Sequence, residues 1–147
     1  MQQRARPILG FMAAWLGVVS ADHVSRGIEL GIVQLGHGKR TSIGRLSVGD
    51  WLVFYSPRTS LENGTPLKAF TGIGEVADDE IYQVDDGDFR PFRRRIRYLP
   101  TTAPVPVVGL DLDLTSSPNW GYQLRLGLVP LSERDLGTIR SALVREV

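Results

Sequence analysis

His23 and His37 are the only imidazoles in this 147-residue chain, and imidazole is the side chain best suited to proton transfer near neutral pH. Neither belongs to an HExxH pattern, and the chain contains no cysteine. Thiolate nucleophiles, disulfides and Cys-based zinc sites are therefore excluded, and no metal or cofactor is expected. The stretch "GHGKRT" suggests a phosphate loop, but Val33 stands where that motif needs its first glycine, and Arg40 replaces the hydroxyl that would meet magnesium. Asp111 and Asp113 alternate in a short extended run with no partner base, as solvated carboxylates do. There is no Gly-x-Ser-x-Gly elbow. Lys68 and Thr71 are the polar pair that an enzymatic reading, hydrolysis of a modified nucleoside, would have to use. No catalytic constellation is recognised, so a non-catalytic protein is expected.

Residue types that bind, as opposed to react, are better represented. "PFRRRIRY" (91–98) places four arginines in eight residues of strand-like sequence. In a strand, Phe92, Arg94, Ile96 and Tyr98 share one face, and Arg93, Arg95 and Arg97 the other. One strand cannot offer all four to one ligand, so Arg94 is the expected contact to a phosphate or base edge, with the others solvated. Six acidic residues precede it: Asp78, Asp79, Glu80, Asp85, Asp86 and Asp88. They hide this basic segment inside a net charge of only +1. Trp15, Tyr55, Tyr82, Phe92, Trp120 and Tyr122 fall at expected loop–strand junctions. Packing accounts for each singly, yet Tyr and Trp carry polar handles that a plain core does not need. Aromatic walls flanked by arginine and amide groups suit a planar heteroaromatic ligand such as a nucleobase, where stacking contributes about 1–3 kcal/mol per base.

The elements that must hold these groups are legible in outline. With 42% apolar and 22% charged residues, the composition is that of one globular domain large enough to bury a core. "WLGVVS" (15–20) reads as a buried strand, followed by a short helix over "ADHVSRGIEL". Ser20 is its N-cap, Gly31 its stop, and Val24 and Ile28 face inward. Trp51–Tyr55 is a strand after a Gly49–Asp50 turn. "LKAFTGIGEVADD" is the next, with Gly72 and Gly74 marking a bulge or a close backbone approach. "WGYQLRLGLVPL" alternates as a strand with Trp120, Tyr122, Leu124, Leu126 and Leu128 on one face. Ser132 and Asp135 form a capping pair, and Leu136, Ile139 and Leu143 an apolar stripe, so a terminal helix follows. Five to six strands with an early and a C-terminal helix, not regularly interleaved, indicate an α+β fold built as a small mixed β-barrel. The first twenty residues have a basic start, an apolar run and small residues near Ser20 and Ala21, like a weak signal peptide. The competing reading makes "WLGVVS" the first core strand of a domain over 13–147, with residues 1–12 an extension ahead of it. The apolar run is too short to span a membrane.

In order, "WLGVVSADHVSRGIELGIVQLGHGKR", "RLSVGDWLVFYSPRT", "LKAFTGIGEVADDEIYQ", "FRPFRRRIRY" and "NWGYQLRLGLVPLSERDL" resemble the EVE domain family, a PUA-like group related to YTH domains. The resemblance covers Trp15 to about Ala142. It implies a PUA-like barrel and favours the N-terminal extension over the signal peptide. It also implies a reader of a flipped, modified base in DNA or RNA, working in the cytoplasm, often beside a restriction or RNA-modification protein. Carried onto this chain, the base pocket would draw on Ser20, Gln34, His37, Tyr55, Ser56, Phe92, Arg94, Trp120 and Tyr122, with Lys39 and Arg40 toward the nucleic-acid backbone. Gln34 and Leu35 stand where YTH domains place a cage tryptophan, so a methyl cage is not implied. A metabolite-binding interaction module is the remaining alternative.

Overall fold

The computed structural model describes residues 13–145; the expectations for residues 1–12 lie outside that range. Seven strands form one mixed sheet: β1 (Ala14–Val18), β2 (Ile32–Val33), β3 (Trp51–Arg58), β4 (Pro66–Gln83), β5 (Phe92–Tyr98), β6 (Val105–Pro106) and β7 (Leu128–Leu131). The hydrogen-bonded order is β2-β5-β4-β3-β1-β7, with β6 on the far end of β4. β1 runs parallel to β3 and antiparallel to β7, and the other pairings are antiparallel. The α+β class is as expected. The path does not close on itself, so the barrel is an open one, and two of its strands have only two residues.

Alternation along β3 explains why the sheet has a core on each face. Leu52 and Phe54 enter one cluster with Trp15, Val24, Leu35 and Ile43, beneath α1 (Ala21–Leu30) and α2 (Arg40–Ile43). Val53 and Tyr55 enter the other with Leu16, Phe70, Leu136, Ile139 and Leu143, beneath α5 (Glu133–Leu143). Both faces of β3 are therefore covered by apolar side chains. The α5 cap forms as its residues indicate. The Ser132 hydroxyl accepts from the Asp135 amide at 3.1 Å. The Asp135 carboxylate, buried, accepts from the amides of Asp113 and Leu114 at 2.7 and 2.8 Å. That ties α5 to α3 (Asp113–Ser116). Gly74 provides the close approach expected of it: a Cβ there would lie 2.6 Å from Ile96 Cγ2 and 2.7 Å from the Arg97 carbonyl oxygen.

Two elements depart from expectation. In α1, Val24 is buried but Ile28 is 39% exposed, and Gly27 takes the inward place one turn on. The segment after Asn119 is not a strand. It forms α4 (Trp120–Gln123) and a 3₁₀ turn over Leu124–Leu126, ended by Gly127 at φ 76°. Trp120 and Leu124 pack on the α5-side core, while Tyr122 and Leu126 are exposed. This is helical i, i+4 spacing. A run that alternates over nine residues satisfies both periods, and only the vacant edge of β1, which takes residues 128–131, decides between them.

Candidate functional site

The expected site residues fall into separate neighbourhoods. On the α5 side, Tyr55 is buried and meets Phe70 and Trp120 edge to face, with centroids at 5.6 and 6.1 Å. Burial raises the Tyr55 hydroxyl above the usual phenol value. Trp120 covers this corner, so Tyr55 is packed and does not line an open site. Tyr122 stands away from them, 65% exposed, with the Arg125 guanidinium 5.6 Å from its ring. Ser56 is buried, its hydroxyl 2.7 Å from that of Thr71. Thr71 is thereby engaged, and among the described residues no hydrogen bond joins it to Lys68. Phe92 is half-buried against the α1-side core. The single aromatic pocket anticipated from these residues is not assembled.

Arg94 is also corrected. It is 3% exposed, and its guanidinium donates to the carbonyls of Ile43, Leu46 and Asp78. Ile43 is the last residue of α2 and Leu46 lies in the turn beyond it, so Arg94 caps the chain that leaves α2, reaching in from β5. Burial lowers the Arg94 pKa from its ordinary value, opposed by the carboxylates of Asp78, Asp50 and Asp79. With its donors turned to backbone oxygens it has no fork left for a phosphate or base. Pleating alone shows that Arg94 and Ile96 share a face; it does not show that this face is the interior.

A third neighbourhood is open and polar. Gly31 adopts φ 69° and turns the chain from α1 back into β2, which pairs with β5 so that Ile32 faces Arg95 and Val33 faces Arg94. One residue on, Gln34 is bonded from both sides. Its side-chain oxygen accepts from Arg93 Nε at 3.0 Å, and its carbonyl lies 3.2 Å from His23 Nε2. A carbonyl can only accept, so in the neutral ring the proton sits on Nε2 and Nδ1 carries a lone pair. At the start of the same helix the Ser20 hydroxyl donates to Asp22 Oδ1 at 2.7 Å, and Ser20 does not cap α1 through its side chain. Residues 36–38 follow with φ of 57°, 59° and 83° in succession. Gly38 packs directly on Pro91 and Phe89, and a Cβ there would lie 2.7 Å from Pro91 Cβ. His37, Lys39 and Arg40 are left exposed beside the β5 entry.

Two spaces adjoin this ridge. A closed cleft under α1, lined by Val19, His23, Gln34, Phe54 and Tyr98, has only about 10 Å³. That is room for at most one water, and a base cannot enter it. On the other side of His23, an open groove of about 980 Å³ runs between α1 and residues 60–62. This is the upper end of the range of small-molecule sites, roughly 300–1,000 Å³. Of the expected residues the groove holds Ser20. Gln34 connects it through His23 to Arg93, and Lys39 and Arg40 follow in the chain. His23 and Arg93 are the side chains that meet Gln34, and neither is among the expected binding residues. The β2–β5 register brings Arg93 to Gln34, whereas His23 reaches the same residue from α1 across the Gly31 turn.

Comparison with known proteins agrees with this architecture. A family model described as "EVE domain" matches residues 13–142. The chain belongs to the EVE domain family. A UPF0310 protein from Renibacterium salmoninarum is 51% identical over 130 residues, covering 88% of this chain and 94% of that protein. One from Mycolicibacterium gilvum is 44% identical over 135 residues, covering 90% and 96%. The NMR structure of Rpa0253 from Rhodopseudomonas palustris superposes with a TM-score of 0.51 at 18% identity, over 88% of this chain and 92% of that one. It shares the EVE fold. Among the described residues, no group of three or more His, Asp or Glu could hold a metal. No helix there is long and apolar enough to cross a membrane.

Proposed function

We propose that this EVE domain is a non-catalytic nucleic-acid reader. One modified base of a DNA or RNA strand leaves its stack and enters the groove beside α1, while the strand's phosphates lie along Lys39, Arg40 and Arg93. The observation that carries this reading is Gln34, bonded at once to His23 at the groove and to Arg93 at the cationic rim. The two halves of a nucleotide, base and phosphate, would thus meet two ends of one rigid ridge. Among the described residues Lys39, Arg40 and Arg93 form no ion pair, whereas Arg95 and Arg97 are occupied by Glu80, Asp78 and Glu75. Extruding a base costs a few kcal/mol in a duplex and less in a single strand, so single strands should bind better. In this reading the protein works in the cytoplasm beside a restriction or RNA-modification enzyme.

The test is fluorescence anisotropy of a labelled single-stranded oligonucleotide across a salt series. Replacing Lys39 and Arg40 together by alanine should weaken binding about tenfold. It should also flatten the slope of log K against log salt by about 1.4, since each lost phosphate contact on a single strand removes about 0.7. An unchanged slope removes these residues from the interface. Equal affinity for modified and unmodified strands, across a panel of modifications, overturns the reader.

A further inference from the structure

Arg93 is the arginine of β5 that is held by a neutral side chain. Arg94 is turned to backbone oxygens, and Arg95 and Arg97 meet Asp78, Glu80 and Glu75. Arg93 donates through Nε to the Gln34 side chain at 3.0 Å, and both residues are half-buried. A guanidinium nitrogen can only donate, so the amide oxygen is the atom that takes the bond. The bond spends the inner nitrogen of the guanidinium and leaves Nη1 and Nη2, which have no partner among the described residues. Gln34 is itself anchored. Val33 pairs with Arg94 on the β2–β5 ladder, and the Gln34 carbonyl lies 3.2 Å from His23 Nε2.

The acceptor at position 34 is an amide, although the hairpin leading into β5 is rich in carboxylates. Asp78, Asp79, Glu80, Asp85, Asp86 and Asp88 all lie there, and none pairs with Arg93 among the described residues. A carboxylate at position 34 would hold the same nitrogen but cancel the charge. An amide fixes the guanidinium plane and leaves its charge uncompensated. That combination suits an anion arriving from outside the fold. Two parallel N–H bonds from the Nη edge match two oxygens of a phosphate, which an ammonium cannot reproduce. Ordering a long side chain before the ligand arrives is worth about two- to tenfold in affinity.

We propose that Gln34 is a positioning residue for the phosphate: it sets the Arg93 guanidinium in advance, so that Nη1 and Nη2 take two non-bridging oxygens of one phosphodiester. This rests on the reader function above and names how its strand is gripped.

The probe is a fluorescein-labelled single-stranded oligothymidine, titrated by anisotropy across a salt series. Arg93→Ala should flatten the slope of log K against log salt by about 0.7, the share of one phosphate contact on a single strand. Gln34→Met, similar in length but without the amide, should leave the slope unchanged and weaken binding about fivefold, because the charge stays and its orientation is lost. In the Arg93→Ala background the same Gln34→Met change should do nothing further. Gln34→Glu, which keeps the bond but neutralises Arg93, should flatten the slope as Arg93→Ala does. Melting curves matching the parent's confirm that the variants are folded; should Gln34→Met melt early, Gln34→Glu decides, since it preserves the bond. An unchanged slope for Arg93→Ala or Gln34→Glu overturns this inference and leaves the reader standing on Lys39 and Arg40. So does a Gln34→Met effect that is absent, or that is equally large in the Arg93→Ala background. A parent that binds neither this strand nor any modified strand overturns both.

Discussion

Arg94 and Arg95 are neighbours on β5 and identical in type, yet they have opposite lives. Arg94 is sealed inside and donates to three carbonyls from two other segments. Arg95 lies on the surface, pairs with Glu80 and Asp78, and covers the Tyr82 ring at 4.8 Å. Those two hydrogen-bonded carboxylates hold its pKa above the ordinary arginine value. Arg93, one step the other way, has its Nε on Gln34 and forms no ion pair among the described residues. The pleat assigns each arginine a side, and what lies on that side assigns the role. Count and spacing alone make the segment look like one basic patch, whereas it divides into a structural cap, a neutralised stripe and one group bonded to Gln34.

The sharpest way to break this comparison is Arg94→Leu. The Leu46 and Asp78 carbonyls lose the Arg94 donor at about 1–3 kcal/mol each, while that of Ile43 keeps the Leu46 amide, so unfolding in urea should show a loss of about 4 kcal/mol. A loss below about 1 kcal/mol would mean that Arg94 is no cap. Arg94→Lys should recover little, because an ammonium cannot reproduce the guanidinium fork.

A smaller effect comes from the same inward face. Tyr98 donates to the Ile32 carbonyl at 2.8 Å, and burial holds its hydroxyl far above the usual phenol range. Tyr98→Phe should cost about 1 kcal/mol at neutral pH. The folded-state pKa is raised, so the tyrosine's contribution is complete below the unfolded value of about 10 and is lost as pH climbs through the folded one. Parent stability should therefore fall above about pH 10, and Tyr98→Phe should flatten that fall in alkaline urea titrations. Tyr55, raised in the same direction, keeps part of it. Smallest is Arg95→Ala. Its stability should match the parent's within the error of the unfolding curve at moderate salt, since exposed pairs contribute little and are screened. A clear loss there would erase the distinction between the two faces.

Local signals carried most of the fold. The Gly49–Asp50 turn, the break before Gly31 and the Ser132–Asp135 cap act within a few residues, so the strands and helices they bound could be placed without tertiary information. Trp120 to Leu126 failed because alternation over so short a span satisfies both periods. The site was less legible for a different reason. Ser20, which lines the groove, and Gln34, which meets His23 beside it, were named through the family resemblance and not through any spacing. The Arg93 contact depends on a pairing between residues 59 positions apart, and the His23 contact on the turn that brings Gln34 back beside α1. Arg94 depends on α2 folding over β5, which no periodicity announces. The aromatic residues misled because a polar handle was taken to need a ligand, whereas Trp120 and Tyr55 pack against one another.

The main path of the open sheet ends in two strand edges, and an edge can template pairing with another chain. β2, at one end, has two residues and is overlaid by the turn out of α1. β7, at the other, has four, and Pro130 removes one of its amide donors. Neither of these edges is long enough to template a long strand pairing, so the open sheet exposes little unpaired backbone at its two ends.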